Sequence, residues 1–100
     1  MVVQGKYCEL GESEVNGFGV MAAEKVPEDT IVAKIVERKN RVLNVTPIGK
    51  MVNHSSEPNS ELVLMGSEVY LKTMEEINKG DEYLADYDNP DNPWFIKGFK

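Results

Sequence analysis

"MVNHSSEPNSE" (residues 51–61) holds the only histidine of the chain, together with three serines, two asparagines and a proline. Asn, Ser and Pro are turn formers, so they account for a connecting loop without further argument. They do not account for an imidazole placed just before a strand-like run. That run, "ELVLM" (61–65), is followed by Gly66-Ser67 and "EVYLK" (68–72). A two-residue connection with glycine first suits a type II′ hairpin. In the second strand Val69 and Leu71 would share one face, with Tyr70 and Lys72 on the other.

Outward from this hairpin the chain reads as short strands broken by turns. No window of eleven or more residues carries a helical apolar period, and turn residues recur about every ten positions. "GVMAAEKV" (19–26) and "TIVAKIVER" (30–38) read as strands on either side of a turn at 27–29, and "RVLNV" (41–45) as a third. Residues 47–52, "PIGKMV", have room for one helical turn at most. After the turn "NKGDE" (78–82) comes "YLADY" (83–87), a last short strand. The end, "DNPDNPWFIKGFK" (88–100), has Asn-Pro twice, which excludes regular ladder pairing there.

Composition narrows the function classes. One hundred residues with 41% hydrophobic and 28% charged side chains fit one small globular domain. The net charge of −6 argues against a nucleic-acid surface, which needs clustered Lys and Arg, and suits a basic protein or peptide partner. Cys8 stands alone, so no intrachain disulfide and no zinc cluster can form. The opening residues lack the basic-then-apolar pattern of a signal peptide, and the run "TIVAKIV" is broken by Lys34, so no membrane span is expected. Asn44 and Asn53 each match the glycosylation acceptor pattern, read here as coincidence. The expected setting is that of a soluble intracellular protein, in the cytoplasm or nucleus of a host cell.

Three segments in order, "NGFGVMAAEKVPEDTIV", "MVNHSSEPNSELVL" and "VYLKTMEEINKGDEYLADY", resemble the landmarks of the SET domain. That family transfers methyl groups from S-adenosylmethionine to protein lysines. Its pattern runs Gly-x-Gly-hydrophobic, then Asn-His-Ser-x-x-Pro-Asn, then Gly-Glu-Glu and an aromatic-Asp-Tyr ending. The resemblance covers roughly residues 15 to 88. It implies a single domain over residues 1–100, with landmarks at 17–20, 53–59 and 80–87 and an aromatic tail over 89–100. The implied fold is mostly β, made of small curved sheets with a C-terminal pseudo-knot and little helix.

The resemblance also implies a site. Gly17, Phe18 and Gly19 would let main-chain amides approach the cofactor, where a Cβ would intrude. Asn53 and His54 would hold it largely through main-chain groups, which makes His54 architectural rather than a proton shuttle. Tyr87 matches the catalytic tyrosine, whose hydroxyl lies beside the transfer axis. Trp94, and less so Phe95, would close over the adenine. No metal is implied in the chemistry. Ala85 and Ile35 stand where relatives often carry aromatics of the lysine channel, and this wider channel implies products beyond monomethyl-lysine. The cysteine-rich zinc segment of many relatives has no counterpart, and the insert before "NHSS" is very short.

The first reading is therefore a minimal methyltransferase acting on a lysine of a protein substrate. The alternatives are a degenerate SET-fold module that binds cofactor or peptide without turnover, and a structural protein that borrows the β architecture. So compact a chain is also a candidate for dimerisation to complete its core or its groove.

Overall fold

The computed structural model describes residues 6–92, and these form two β-sheets around one hydrophobic cluster. β1 (Cys8–Glu12) and β2 (Phe18–Ala22) make an antiparallel hairpin. The second sheet has six strands in the order β4-β3-β7-β6-β8-β5. Its members are β3 (Ile31–Lys39), β4 (Val42–Val45), β5 (Asn53–His54), β6 (Ser60–Met65), β7 (Glu68–Thr73) and β8 (Leu84–Ala85). The single helix among the described residues, α1 (Pro47–Met51), is one turn long, as expected. Thr46 caps it by accepting from the Gly49 amide at 3.0 Å.

Local chemistry explains the central strands. β6 and β7 pair in register from Ser60↔Thr73 to Met65↔Glu68, closed by Gly66 at φ +64. Ser67 is not among the positive-φ residues, which agrees with the type II′ expectation. Along β7 burial alternates, with Val69, Leu71 and Thr73 fully buried. β3 and β4 are joined by Asn40 and Arg41, both at positive φ (52° and 66°), the signature of a type I′ turn. The sequence reading placed the two strands but missed the turn type, because Arg is a poor residue for the left-handed region. It also missed β1, whose exposed residues hide its periodicity.

The hairpin β1-β2 is fastened to the segment before β8. Tyr83 N–H donates to the Val20 carbonyl at 2.9 Å, and Ala22 N–H to Asp81 at 2.8 Å. The Tyr83 ring is fully buried, and its hydroxyl donates to the Tyr7 carbonyl at 2.8 Å. Val20, Ala22 and Tyr83 thereby join the same cluster as Ile35, Val36, Val69 and Leu71.

The position of β8 makes the pseudo-knot. β5 and β6 follow each other in the chain, joined by residues 55–59, yet they are not neighbours in the sheet. β8 lies between them, parallel to both, with Asn53↔Leu84, His54↔Ala85 and Ser60↔Ala85 as partners. The late strand thus passes under the 55–59 connection. Both ends of that connection grip it: Ser55 N–H donates to the Ala85 carbonyl at 3.0 Å and Asn59 N–H to Leu84 at 3.2 Å. Such threading is rare, and it brings residues 53–54 beside residues 84–87.

Candidate functional site

The polar loop "NHSSEPN" is explained by what it straddles. Asn59 acts as a piece of strand: its side-chain amide donates to the Glu82 carbonyl at 2.7 Å and its Oδ1 accepts from Leu84 N–H at 2.9 Å. Ser55 folds the loop by accepting from the Glu57 amide at 3.0 Å. Asn59 and Ser55 thus satisfy backbone groups that the two-residue strand and its loop leave without a ladder.

Asn53 ties this loop to the first hairpin. Its carboxamide nitrogen lies within donating distance of four oxygens: Ser13 Oγ (3.0 Å), the Asn16 carbonyl (3.2 Å), the Phe18 carbonyl (3.1 Å) and Glu82 Oε2 (2.9 Å). Two N–H hydrogens are shared among these four. Ser13 in turn donates to Glu82 Oε1 at 2.7 Å and accepts from the amides of Val15 and Asn16. Gly19 faces the same carboxylate. A Cβ there would run into Glu82 and stand 3.0 Å from the Asn53 amide nitrogen. Gly19 is therefore required by the Asn53–Glu82 pair. Gly17 is required differently, by its φ of +51° with open space around it.

His54 accepts from the Tyr87 amide through Nδ1 at 3.1 Å. In that arrangement Nδ1 is unprotonated, and the neutral ring carries its hydrogen on Nε2, 3.7 Å from an Asp88 oxygen. Asp86 Oδ1 lies 3.8 Å from Nδ1. The Nδ1 lone pair is thus occupied by a backbone amide.

Tyr87 is 4% exposed, and its hydroxyl donates to the Val52 carbonyl at 3.0 Å. Burial pushes its pKa up to about 12, so it remains a protonated donor at neutral pH. Tyr87 also borders a cleft of about 250 Å³, framed by Asn16, Gly49, Lys50, Val52, Asn53 and His54. β5 is the last strand of its sheet, so its outer backbone edge has no strand partner among the described residues.

The structure therefore gathers Asn53, His54 and Tyr87 at one cleft, with Gly17, Phe18 and Gly19 on the adjoining hairpin. Phe18 is exposed, and its carbonyl rather than its ring faces Asn53. Ile35 and Ala85, expected as walls of a substrate channel, are both buried in the hydrophobic cluster. Small and apolar side chains there fill the core beneath the threaded strand. Trp94 and Phe95 lie outside the described residues. Ser13, Lys50 and the role of Glu82 were missed. "GDE" flagged Glu82 as a landmark, but its partners lie 29 and 69 residues away.

No protein-family model matches the chain, and no curated protein sequence does. Solved structures do match. A Plasmodium falciparum protein assigned as a histone methyltransferase aligns over 93% of this chain and 99% of its own, at 20% identity and TM-score 0.68. The SET domain of the RIZ1 tumor suppressor aligns over 86% of this chain and 72% of its own, at 22% identity and TM-score 0.66. A humanized mutant of the Chaetomium thermophilum Polycomb Repressive Complex 2, bound to an inhibitor, aligns over 86% of this chain at 16% identity and TM-score 0.64. Only 15% of that last chain is covered. The fold of this chain is that of a SET domain. Among the described residues no helix is long and apolar enough to cross a membrane.

Proposed function

We propose that this chain transfers a methyl group from S-adenosylmethionine to a lysine side chain of a protein. The observation that carries the reading is the convergence of Asn53, His54 and Tyr87 at one cleft of a SET fold. The residues present fit such a cofactor in kind. Lys50 supplies a cation for a carboxylate, and the outer edge of β5 supplies main-chain donors and acceptors for a purine edge. At about 250 Å³ the described cleft is smaller than the roughly 300 Å³ at which ligand clefts usually begin, so it frames part of the molecule.

When bound, the cofactor supplies an activated sulfonium methyl, so neither a metal nor a covalent enzyme intermediate is needed for the transfer. The chain's task is alignment. Val52 takes the hydroxyl hydrogen of Tyr87 and leaves the phenol oxygen's lone pairs free to accept from an incoming amine. His54, by accepting from the Tyr87 amide, fixes the backbone that carries this phenol. Asn53 and Glu82 hold the glycine hairpin against the same loop.

Calorimetric titration with S-adenosylmethionine, followed by a mass-spectrometric screen of methylated proteins, tests the reading. Binding with +14 Da products is expected, and Tyr87→Phe should slow transfer about ten-fold or more while retaining the fold, equivalent to at least ~1.4 kcal/mol of barrier. No heat and no thermal shift at millimolar cofactor would overturn it.

A further inference from the structure

We propose that the groove along the open edge of β6 docks an extended, basic segment of a partner protein, added to the sheet as a strand. β6 pairs with β7 along its whole length, but with β8 only at Ser60↔Ala85. From Glu61 to Met65 its other edge therefore carries no strand partner among the described residues. Five residues of open edge span roughly 16 Å, the length of an extended peptide of the same size. A groove of about 600 Å³ runs beside it, with Leu62, Leu64 and Met74 as apolar floor and Glu61, Asp86 and Asp91 as its charges. Leu64 is 53% exposed and Met74 44%, surface that a docked chain would cover.

The chemistry selects the occupant. Among the described residues no lysine or arginine lines the groove, and Glu61 and Asp91 enter no ion pair. An open strand edge offers main-chain hydrogen bonds to any extended chain, and flanking side chains decide which one. Three carboxylates around an apolar floor favour Lys or Arg alternating with small apolar residues, drawn in by the field of a chain at net charge −6. The groove is separate from the cleft at Tyr87, with Asp86 on its wall and Tyr87 turned to the other side. Docking there does not depend on methyl transfer.

Fluorescence anisotropy with a labelled peptide of alternating Lys and Val, titrated with the full chain, tests this. We expect saturable binding that weakens with salt, with amide shifts in the NMR spectrum centred on Glu61–Met65. Acetylating the peptide lysines, or placing proline at its centre, should each weaken binding about ten-fold, and so should the exposed double variant Glu61→Lys/Asp91→Lys. Unchanged affinity for both modified peptides, shifts that map to another surface, or Leu62 and Leu64 amides already protected from exchange in the free chain would each overturn the proposal. The last result would mean that this chain itself covers the edge.

Discussion

Asn53 and Glu82 meet with the carboxamide nitrogen 2.9 Å from Oε2, joining the loop before the threaded strand to the turn that leads into it. Ser13 completes the contact from the first hairpin. Three separate chain segments thus depend on one half-buried carboxylate. Glu82→Ala removes the acceptor of the Ser13 hydroxyl and one of the four oxygens around the Asn53 amide, and should lower stability by roughly 1–3 kcal/mol. Glu82→Gln keeps one acceptor oxygen and should lose less. Urea midpoints with an unchanged m-value would report the difference; equal losses for both variants would show that the carboxylate acts by shape alone.

The two glycines of "GFG" should respond oppositely to small substitutions. Gly17 needs a left-handed backbone but has open space, so Gly17→Asn should cost well under 1 kcal/mol. Gly19 has an ordinary backbone but no room, so Gly19→Ala should cost roughly 1–3 kcal/mol as Glu82 and Asn53 are pushed apart. Thermal melts of the two variants check the order. A Gly19→Ala variant as stable as the parent would mean the Glu82 side chain swings away freely.

Arg41 sits at φ 66° in the second position of the type I′ turn, after Asn40. Asn-Gly is the preferred pair for that geometry. Arg41→Gly should therefore stabilise the protein by about 0.5–1 kcal/mol, raising the melting temperature by a few degrees. A lower melting temperature would indicate that the exposed guanidinium contributes more than its backbone costs.

High pH should weaken the fold. Burial raises the Cys8 thiol from 9.0 to about 11 and the Tyr87 hydroxyl from 10.0 to about 12, and it raises Tyr83 as well. Each group holds its proton more tightly folded than unfolded. Stability is then fully present below about pH 9, falls as the unfolded chain begins to ionise, and goes on falling through the folded pKa values. Urea midpoints between pH 8 and 11 should drop, and Cys8→Ala should make the decline shallower across pH 9 to 11. A flat profile would place these groups in water.

How much of this was legible follows from range. The β6-β7 hairpin was readable because Gly66-Ser67 and the alternation of Val69 and Leu71 are local signals. The threading of β8 was not, since Leu84-Ala85 is two residues long and owes its place to Asn59 and Ser55, more than twenty residues away; only the family resemblance pointed to it. The site divides in the same way. Asn53, His54 and Tyr87 stand out as residue types in a pattern, whereas the Ser13–Glu82 contact joins unremarkable residues 69 apart. The burial of Ile35 and Ala85 was not legible either, because alignment to a motif gives a position in the chain and not the direction of a side chain.

Ala85 therefore carries a prediction different from the one its alignment suggests. It is fully buried in the middle of the sheet, paired with His54 on one side and Ser60 on the other, and its carbonyl accepts from Ser55. A tyrosine ring introduced there must displace packed core. Overpacking of this kind costs roughly 1–3 kcal/mol or more. Because β8 runs beneath residues 55–59, the disturbance reaches Asn53 and His54 directly. Ala85→Tyr should thus lower the melting temperature and the affinity for S-adenosylmethionine together, without changing how many methyl groups any remaining activity adds. The measurement is a melt, a cofactor titration and a product spectrum on one preparation. Unchanged stability combined with a shift toward monomethyl-lysine would put Ala85 in the wall of the amine site and refute its assignment to the core.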